Sequence, residues 1–357
     1  MTEMIPEEWP CRAATDCQTQ ASDKSSSGKR PTLRPAKELP SREATVCQVL
    51  ASRQSSSGES PTLRPANEEI IRTERTINWY PGHMARSRRL LAEQLSRTDA
   101  VIELCDARIP GASRNPDLDA LLSGKPRLLV LNKADLAEPE ETQKWLAFLR
   151  RQGVKCLSYN GLRGNVRSVL DRISDLTREK VEALARRGVK KTVRLMVAGV
   201  PNVGKSTFIN RLSGSVMAKT GDRPGVTRSN QWVRINPYLE LLDTPGLLWP
   251  KIENQEDARA LALIGTINDQ VLDQQAMAIE LLMRLRETHP EAIRTRFHIR
   301  NMDAEGEELL CEACRGRGWI VARGEVDMDR GAAVILDEFR AGKLGAVTLE
   351  RVPEEQA

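Results

Sequence analysis

The nine residues GVPNVGKST, Gly199 to Thr207, have the spacing G-x-x-x-x-G-K-[ST] that wraps a phosphate group. RLMVA before them reads as a buried strand and STFINRL after them as a helix, and that context makes the motif specific. Gly199 and Gly204 let the backbone curl, so that the N–H groups around Asn202 and Val203 and the start of the helix face an anion. Lys205 then reaches the outer phosphates and the Ser206 hydroxyl ligates Mg²⁺, with Thr207 beside it among the nucleotide contacts.

Two further pieces follow. GDRPGVTR at 221–228 offers Thr227 as a switch threonine that closes onto the metal and the terminal phosphate. LLDTPG at 241–246 ends a strand with Asp243, placed to hold Mg²⁺ through water, and with Gly246, whose N–H can meet a γ-phosphate.

The base is read upstream. In VLNKADL, Val130 to Leu136, Asn132 would bond a purine, Lys133 would pack along its ring and Ala134 would carry the chain past it. Asp135 accepts from the ring N–H and from the exocyclic amine that guanine has and adenine lacks, so the site chooses GTP over ATP. LSYNG, Leu157 to Gly161, follows one strand later; Ser158, Asn160 and Gly161 can bring a backbone N–H to the guanine carbonyl. By itself N-K-x-D is a weak signal. Combined with the phosphate loop and both switches it specifies a guanine-nucleotide site with its base loops ahead of its phosphate loop, a circular permutation of the usual order.

Such a site needs loops at one end of a parallel sheet. AVIELCDAR (100–108), PRLLVLNKAD (126–135), KCLSYN (155–160) and VRLMVAGVP (193–201) read as strands, with helices expected at about 115–124, 138–152 and 165–187. NQWVRINPYLELLDTPG reads as a hairpin turning at Asn236-Pro237. A basic amphipathic helix carrying Leu90, Leu91 and Leu95 precedes the first strand. The fold class is therefore α/β: a circularly permuted P-loop domain with a doubly wound, mostly parallel sheet over 71–252, then a small helical domain over 253–357. Residues 1–70 hold a repeat, Arg12–Glu38 returning as Arg42–Glu68, rich in Ser, Pro and charge. It is read as a disordered tail or as sequence upstream of the true start.

A composition of 40% hydrophobic and 29% charged residues is that of a soluble globular protein. No apolar run is long enough to span a membrane. MTEMIPEEWP matches neither secretory nor organellar signals, so the cytoplasm is expected. Seven cysteines without framework spacing suit reduced thiols, and Cys311 and Cys314 make only half a zinc site. Between 150 and 194 thirteen Lys or Arg stand against Asp171, Asp175, Glu179 and Glu182. A solvated helix face would carry such a stripe, and so would a surface for a phosphate backbone.

From INWYPGHMARSRR through NKAD, GVPNVGKST, DRPGVTR and DTPGLLWPK to GEVDMDRGAAVILDEFRAGKLGAVTLE, the chain resembles the ribosome biogenesis GTPase A (YlqF-type) family of circularly permuted GTPases. That resemblance covers Ile77 to Leu349. It implies GTP hydrolysis coupled to assembly of the large ribosomal subunit, with the helical domain contacting ribosomal RNA. It also implies that His83 of the W-[FY]-P-G-H-M motif positions the attacking water, because Leu247 stands where many GTPases carry a glutamine. Asn202 matches the asparagine that helps hold K⁺ in potassium-activated GTPases. The expected cofactors are GTP/GDP, Mg²⁺ and K⁺; the expected partners are the large-subunit precursor and its RNA, with no membrane and no DNA, on a monomer. The alternatives are an RNA-binding scaffold with negligible hydrolysis and a small-molecule kinase, the latter disfavoured by Asp135.

Overall fold

The computed structural model describes residues 84–122, 124–189, 191–214, 231–244, 246, 252 and 254–353. All of these fall within one compact unit, Ile71–Ala357. The tail read over 1–70, His83, Thr227 and Leu247 lie outside the described residues.

Six strands form one sheet in the order β3-β2-β1-β4-β6-β5. They are β1 (Ala100–Asp106), β2 (Arg127–Asn132), β3 (Cys156–Tyr159), β4 (Val193–Gly199), β5 (Gln231–Asn236) and β6 (Leu239–Asp243). All neighbours are parallel except β5 with β6, the expected hairpin. The central strands are mostly apolar because both faces are covered. Ile102, Leu104, Leu128, Val130, Leu195, Val197 and Leu241 point to the face that packs α4 (Val166–Ala185) and α5 (Lys205–Ser213). On the other face, Val101, Met196, Ala198 and Leu242 meet Leu91 and Leu95 of α1 (Met84–Ser96) and Leu118 of α2 (Pro116–Leu121). There too Cys105, Leu129 and Leu131 meet Trp145 and Leu149 of α3 (Pro139–Arg151).

The chain order runs outward from β1 to β2 and β3, then returns to β4 on the other side of β1. The sheet therefore switches direction between β1 and β4, and the crevice outside the carboxyl ends of strands at such a point is where α/β sheets bind ligands.

Beyond the hairpin the chain is helical: α6 (Gln255–Leu263), α7 (Gln274–Thr288), α8 (Pro290–Phe297), α9 (Glu307–Arg317) and α10 (Met328–Arg340). EDARALALIGTI, DQQAMAIELLMRL and RGAAVILDEFRAGKL, helix-like as sequence, supply α6, α7 and α10, while α8 and α9 add to the helical domain expected over 253–357. Glu338 of α10 ties this part together, accepting from Arg296 of α8 at 2.6 and 2.8 Å and from Arg317 of α9 at 3.4 Å. Its apolar residues, among them Leu281, Phe297, Leu310 and Ile335, belong to the same continuous core as the α4/α5 face of the sheet.

Candidate nucleotide site

The phosphate loop leaves β4 at the switch point. Gly199, at φ 152°, passes so close to the Leu104 carbonyl of β1 that any Cβ there would collide. Asn202 (φ 60°) and Gly204 (φ 93°) take left-handed conformations on either side of Val203, which turns successive amides inward in front of α5. Lys205 opens that helix and is buried. Its Nζ donates to the carbonyls of Gly199 at 3.1 Å and Val200 at 2.9 Å, and it pairs with no carboxylate among the described residues. Burial pushes its amine down to about 8; the nearby Lys133 adds to that and Asp243 opposes it. A buried cation held only by carbonyls, in a ring of inward-facing amides, fits an anion.

The metal side is built from α5 and β6. Ser206 Oγ donates to Asp243 Oδ2 at 2.9 Å. The other oxygen, Oδ1, is buried with no hydrogen-bond partner. Burial raises the Asp243 carboxyl above its ordinary range, against the opposing pull of Ser206 and Lys205. A hydroxyl beside a buried carboxylate with an uncommitted oxygen suits a hard divalent cation. Gly246 lies against the loop: a Cβ there would stand 2.6 Å from Pro201 Cα. Asp243→Asn keeps the shape and removes the charge, so Mg²⁺ affinity of the nucleotide complex should fall by about 10- to 100-fold, the usual cost of losing an outer-shell carboxylate. Titration of nucleotide release against Mg²⁺ measures it, and an unchanged midpoint would remove Asp243 from the metal site.

Asn132 joins the base side to the phosphate side. It ends β2, is buried, and its Nδ2 donates to the Val203 carbonyl at 2.8 Å, a bond between residues 71 apart in sequence. A Cβ on Gly204 would stand 2.6 Å from that nitrogen, so this position needs glycine for space as well as for its φ. Gly161 lies on the other side, its Cβ direction 3.2 Å from Asn132 Oδ1, and that oxygen is buried without a partner. One side chain thus touches both base loops and the phosphate loop.

Lys133 takes φ 57° and sets its Nζ 3.3 Å from Asp106 Oδ2. Ala134 N donates to Tyr159 O and Leu136 N to Lys133 O, a turn that leaves Asp135 exposed at its tip. Ser158 is half-buried on β3, opposite Leu131. Asn160 builds its own loop: its Oδ1 accepts from the amides of Leu162 and Arg163 at 2.9 and 3.0 Å. Thr207 is half-buried in the first turn of α5.

The Asn202 carboxamide is turned toward the helical part, Nδ2 donating to Gly265 O at 2.5 Å. Nearby, Thr266 Oγ1 donates to Pro201 O at 3.3 Å. Arg340 of α10 holds the same turn through the carbonyls of Ala262 and Leu263 and through Asp269. No pattern in the sequence announces these contacts. Nor does any mark Asp106 and Arg108, a fully buried pair at the end of β1 with Nη2 to Oδ2 at 2.8 Å; the only signal is a charged couple closing an apolar strand. Arg167 on α4, Arg163 just before it and Arg186 and Arg187 just after it are exposed, which places the basic stripe on the outside of the sheet layer. Cys314 lies in the core of the helical part, where burial pushes its thiol up to about 11.

A family model described as "50S ribosome-binding GTPase" matches residues 194–302. It begins on β4 and leaves the base loops outside, as permutation requires. Ribosome biogenesis GTPase A of Priestia megaterium is 42% identical over 284 residues, 79% of this chain and 99% of that protein. Mitochondrial ribosome-associated GTPase 1 of Xenopus tropicalis is 34% identical over 294 residues, 76% of this chain and 94% of that protein. The crystal structure of GNP-bound YlqF from T. maritima superposes with a TM-score of 0.54 at 26% identity, covering 74% of this chain and 98% of that one.

Proposed function

The chain belongs to the ribosome biogenesis GTPase A family, and from that premise we propose that it binds GTP, hydrolyses it to GDP and phosphate, and serves as an assembly factor for the large ribosomal subunit. The observation that carries this reading is the Asn132–Val203 bond, which fastens a guanine-type base loop to a phosphate loop in reversed chain order.

Asp135 takes the guanine edge, with Asn132 and Lys133 alongside, while the loop amides and Lys205 hold the β- and γ-phosphates. Ser206 and Asp243, joined by Thr227 when the switch closes, are the residues that would hold Mg²⁺. That ion would neutralise charge developing on the phosphates. Asn202, whose nitrogen donates to Gly265 O, is the side chain that would serve K⁺ through an amide oxygen of the kind that cation takes.

His83 stands in for the missing glutamine. It precedes α1 directly in sequence and orients the attacking water as a general base. His83→Ala should lower ribosome-stimulated turnover by about 10²- to 10⁴-fold, the range of general-base contributions, while GDP affinity stays within a few-fold. Single-turnover GTP cleavage with and without large subunits measures this. Stimulated turnover that survives the substitution would remove His83 from the reaction.

The helical part, 253–357, is the proposed RNA-contacting domain, and the exposed arginines of α4 extend that surface. Because β6 and Gly246 lead into α6, and because Pro201 and Asn202 touch the turn after α6, a change at the γ-phosphate reaches the helices by two routes. Sedimentation with ribosomal particles in GDP against a non-hydrolysable GTP analogue tests partner and switch together; equal co-sedimentation in both states would overturn the coupling. Leu247 favours one other reading, a GTP-dependent RNA-binding scaffold without turnover, which predicts analogue-dependent binding but no stimulated hydrolysis. No helix among the described residues is long and apolar enough to cross a membrane, and the proposed location is the cytoplasm.

A further inference from the structure

We propose that the C-terminal strap, residues 342–351, acts together with Arg108 as a positioning element for guanine recognition. It would hold the base-reading loop from its outer side, in the geometry that presents Asp135. This rests on the reading of 132–135 as the guanine loop.

The strap is bonded to that loop along its backbone. Val347 N donates to Leu136 O at 2.9 Å, one residue beyond Asp135. Glu138 and Thr348 make a reciprocal pair: Glu138 N donates to Thr348 Oγ1 at 2.9 Å and Thr348 N donates to Glu138 Oε2 at 3.3 Å. Gly342, at φ 72°, packs so tightly on Leu136 that a Cβ there would run into it. Arg351 bridges Glu138 and Glu141 at 3.2 and 2.9 Å, and Trp145 of α3 donates to the Glu350 carbonyl at 3.0 Å.

The second attachment is through Arg108. Its carbonyl accepts from Leu349 N at 2.9 Å. Its Nε and Nη2 donate to the two oxygens of Asp106 at 2.9 and 2.8 Å, and Asp106 in turn takes Lys133 Nζ at 3.3 Å. The guanidinium also lies 5.1 Å from the centroid of the Phe339 ring on α10. Glu350 secures the adjoining loop, its carboxylate accepting from Gly111 N at 2.7 Å and Ala112 N at 3.2 Å.

Lys133 is a non-glycine residue in a left-handed conformation, which persists only where its surroundings over-determine it. Here Asp106 takes its Nζ and the Leu136 amide donates to its carbonyl, while Arg108 holds Asp106 and the strap holds Leu136. A loop ordered in advance by its outer contacts binds more tightly because less freedom is lost on binding. The strap touches the base side and not the γ-phosphate side, so its loss should weaken GDP and GTP alike. By reciprocity, either nucleotide should protect the strap amides of Val347 and Leu349.

The test uses the full chain and equilibrium binding of GDP and a GTP analogue. Thr348→Val keeps the branched shape and removes the hydroxyl acceptor; Arg108→Lys keeps charge and loses the fork. Both should weaken GDP and analogue together, by about tenfold, with their ratio and the turnover at saturating GTP unchanged. Thr348→Ser should restore affinity. Arg296→Gln, which disturbs the Glu338 network of the same helical part, should leave affinity alone, so a general loss of stability is distinguished from loss of positioning. Unaltered protein that binds guanine nucleotides, with Thr348→Val binding them equally well, overturns this proposal alone. Failure of the unaltered protein to bind them overturns the site reading and this proposal together.

Discussion

Replacing Lys205 with methionine is expected to weaken nucleotide binding sharply while leaving the protein, stripped of nucleotide, at least as heat-stable as before. The side chain is buried, its ammonium is surrounded by carbonyls without a carboxylate partner, and burial holds its amine down at about 8. Exchanging a buried charge for an apolar chain of similar length is often neutral or stabilising. With nucleotide the balance reverses, because a desolvated, hydrogen-bonded charge contact is worth about 2–5 kcal/mol when one partner is cut away, roughly 30- to 5,000-fold in affinity. A ligand at about 100 times its Kd stabilises a fold by about 2.7 kcal/mol. Melting curves with and without GDP should therefore separate widely for the unaltered protein and coincide for the methionine variant. A GDP-dependent rise in the variant's melting temperature would take Lys205 out of the phosphate site.

The depressed amine also fixes the pH course. Without nucleotide, its cost to the fold is fully present below about pH 8 and is relieved as pH climbs toward the ordinary lysine value, so this contribution to stability rises with pH over that window. Binding needs the charged form. Affinity for GDP should be level up to about pH 8 and then fall by up to about tenfold per unit, and the fall should be absent in the methionine variant.

What could be read from sequence was local. The motifs are legible because a short apolar run, a turn former and a polar couple lie within ten or so residues of one another, and among the described residues both base loops, the phosphate loop and Asp243 follow the carboxyl ends of parallel strands. α9 carries no clear helical signal because Gly316 interrupts it, and the Cys311–Cys314 spacing resembles half a metal site although Cys314 is a core residue beside Trp319. α8, Pro290–Phe297, is only about two turns long, with too few apolar positions to show a period. Arg108 could not be read as buried: an arginine at a strand end is ordinarily exposed, and only Asp106 and the distant ring of Phe339 make burial tolerable. The strap contacts join residues more than 200 positions apart, such as Gly111 with Glu350, and no pattern in either segment announces the other. Asn202 shows the same limit. Its spacing suggests a cation ligand, but its bond to Gly265 depends on where α6 ends.

The other large effect is expected from Asp135→Asn, which should exchange guanine for xanthine. A carboxylate accepts from both the N1–H and the 2-amino group of guanine; the asparagine amide accepts one and meets the other with its own N–H. Losing two charge-assisted bonds at about 1.5–3 kcal/mol each amounts to roughly 10²- to 10⁴-fold in GTP affinity. Xanthine keeps N1–H and carries a carbonyl at C2, which the amide can serve as donor, so XTP should bind the variant better than GTP does. Asp135 is exposed, and among the described residues it makes no hydrogen bond or ion pair, so the fold does not depend on it and the melting temperature should stay put. That separation makes the result decisive. A stable variant that still prefers guanine would show that the loop at 132–135 does not read the base, and the bond from Asn132 to Val203 would then be only a structural brace. A clean exchange would establish that a loop seventy residues ahead of the phosphate loop selects the nucleotide that loop holds, which is what the reversed order of motifs requires.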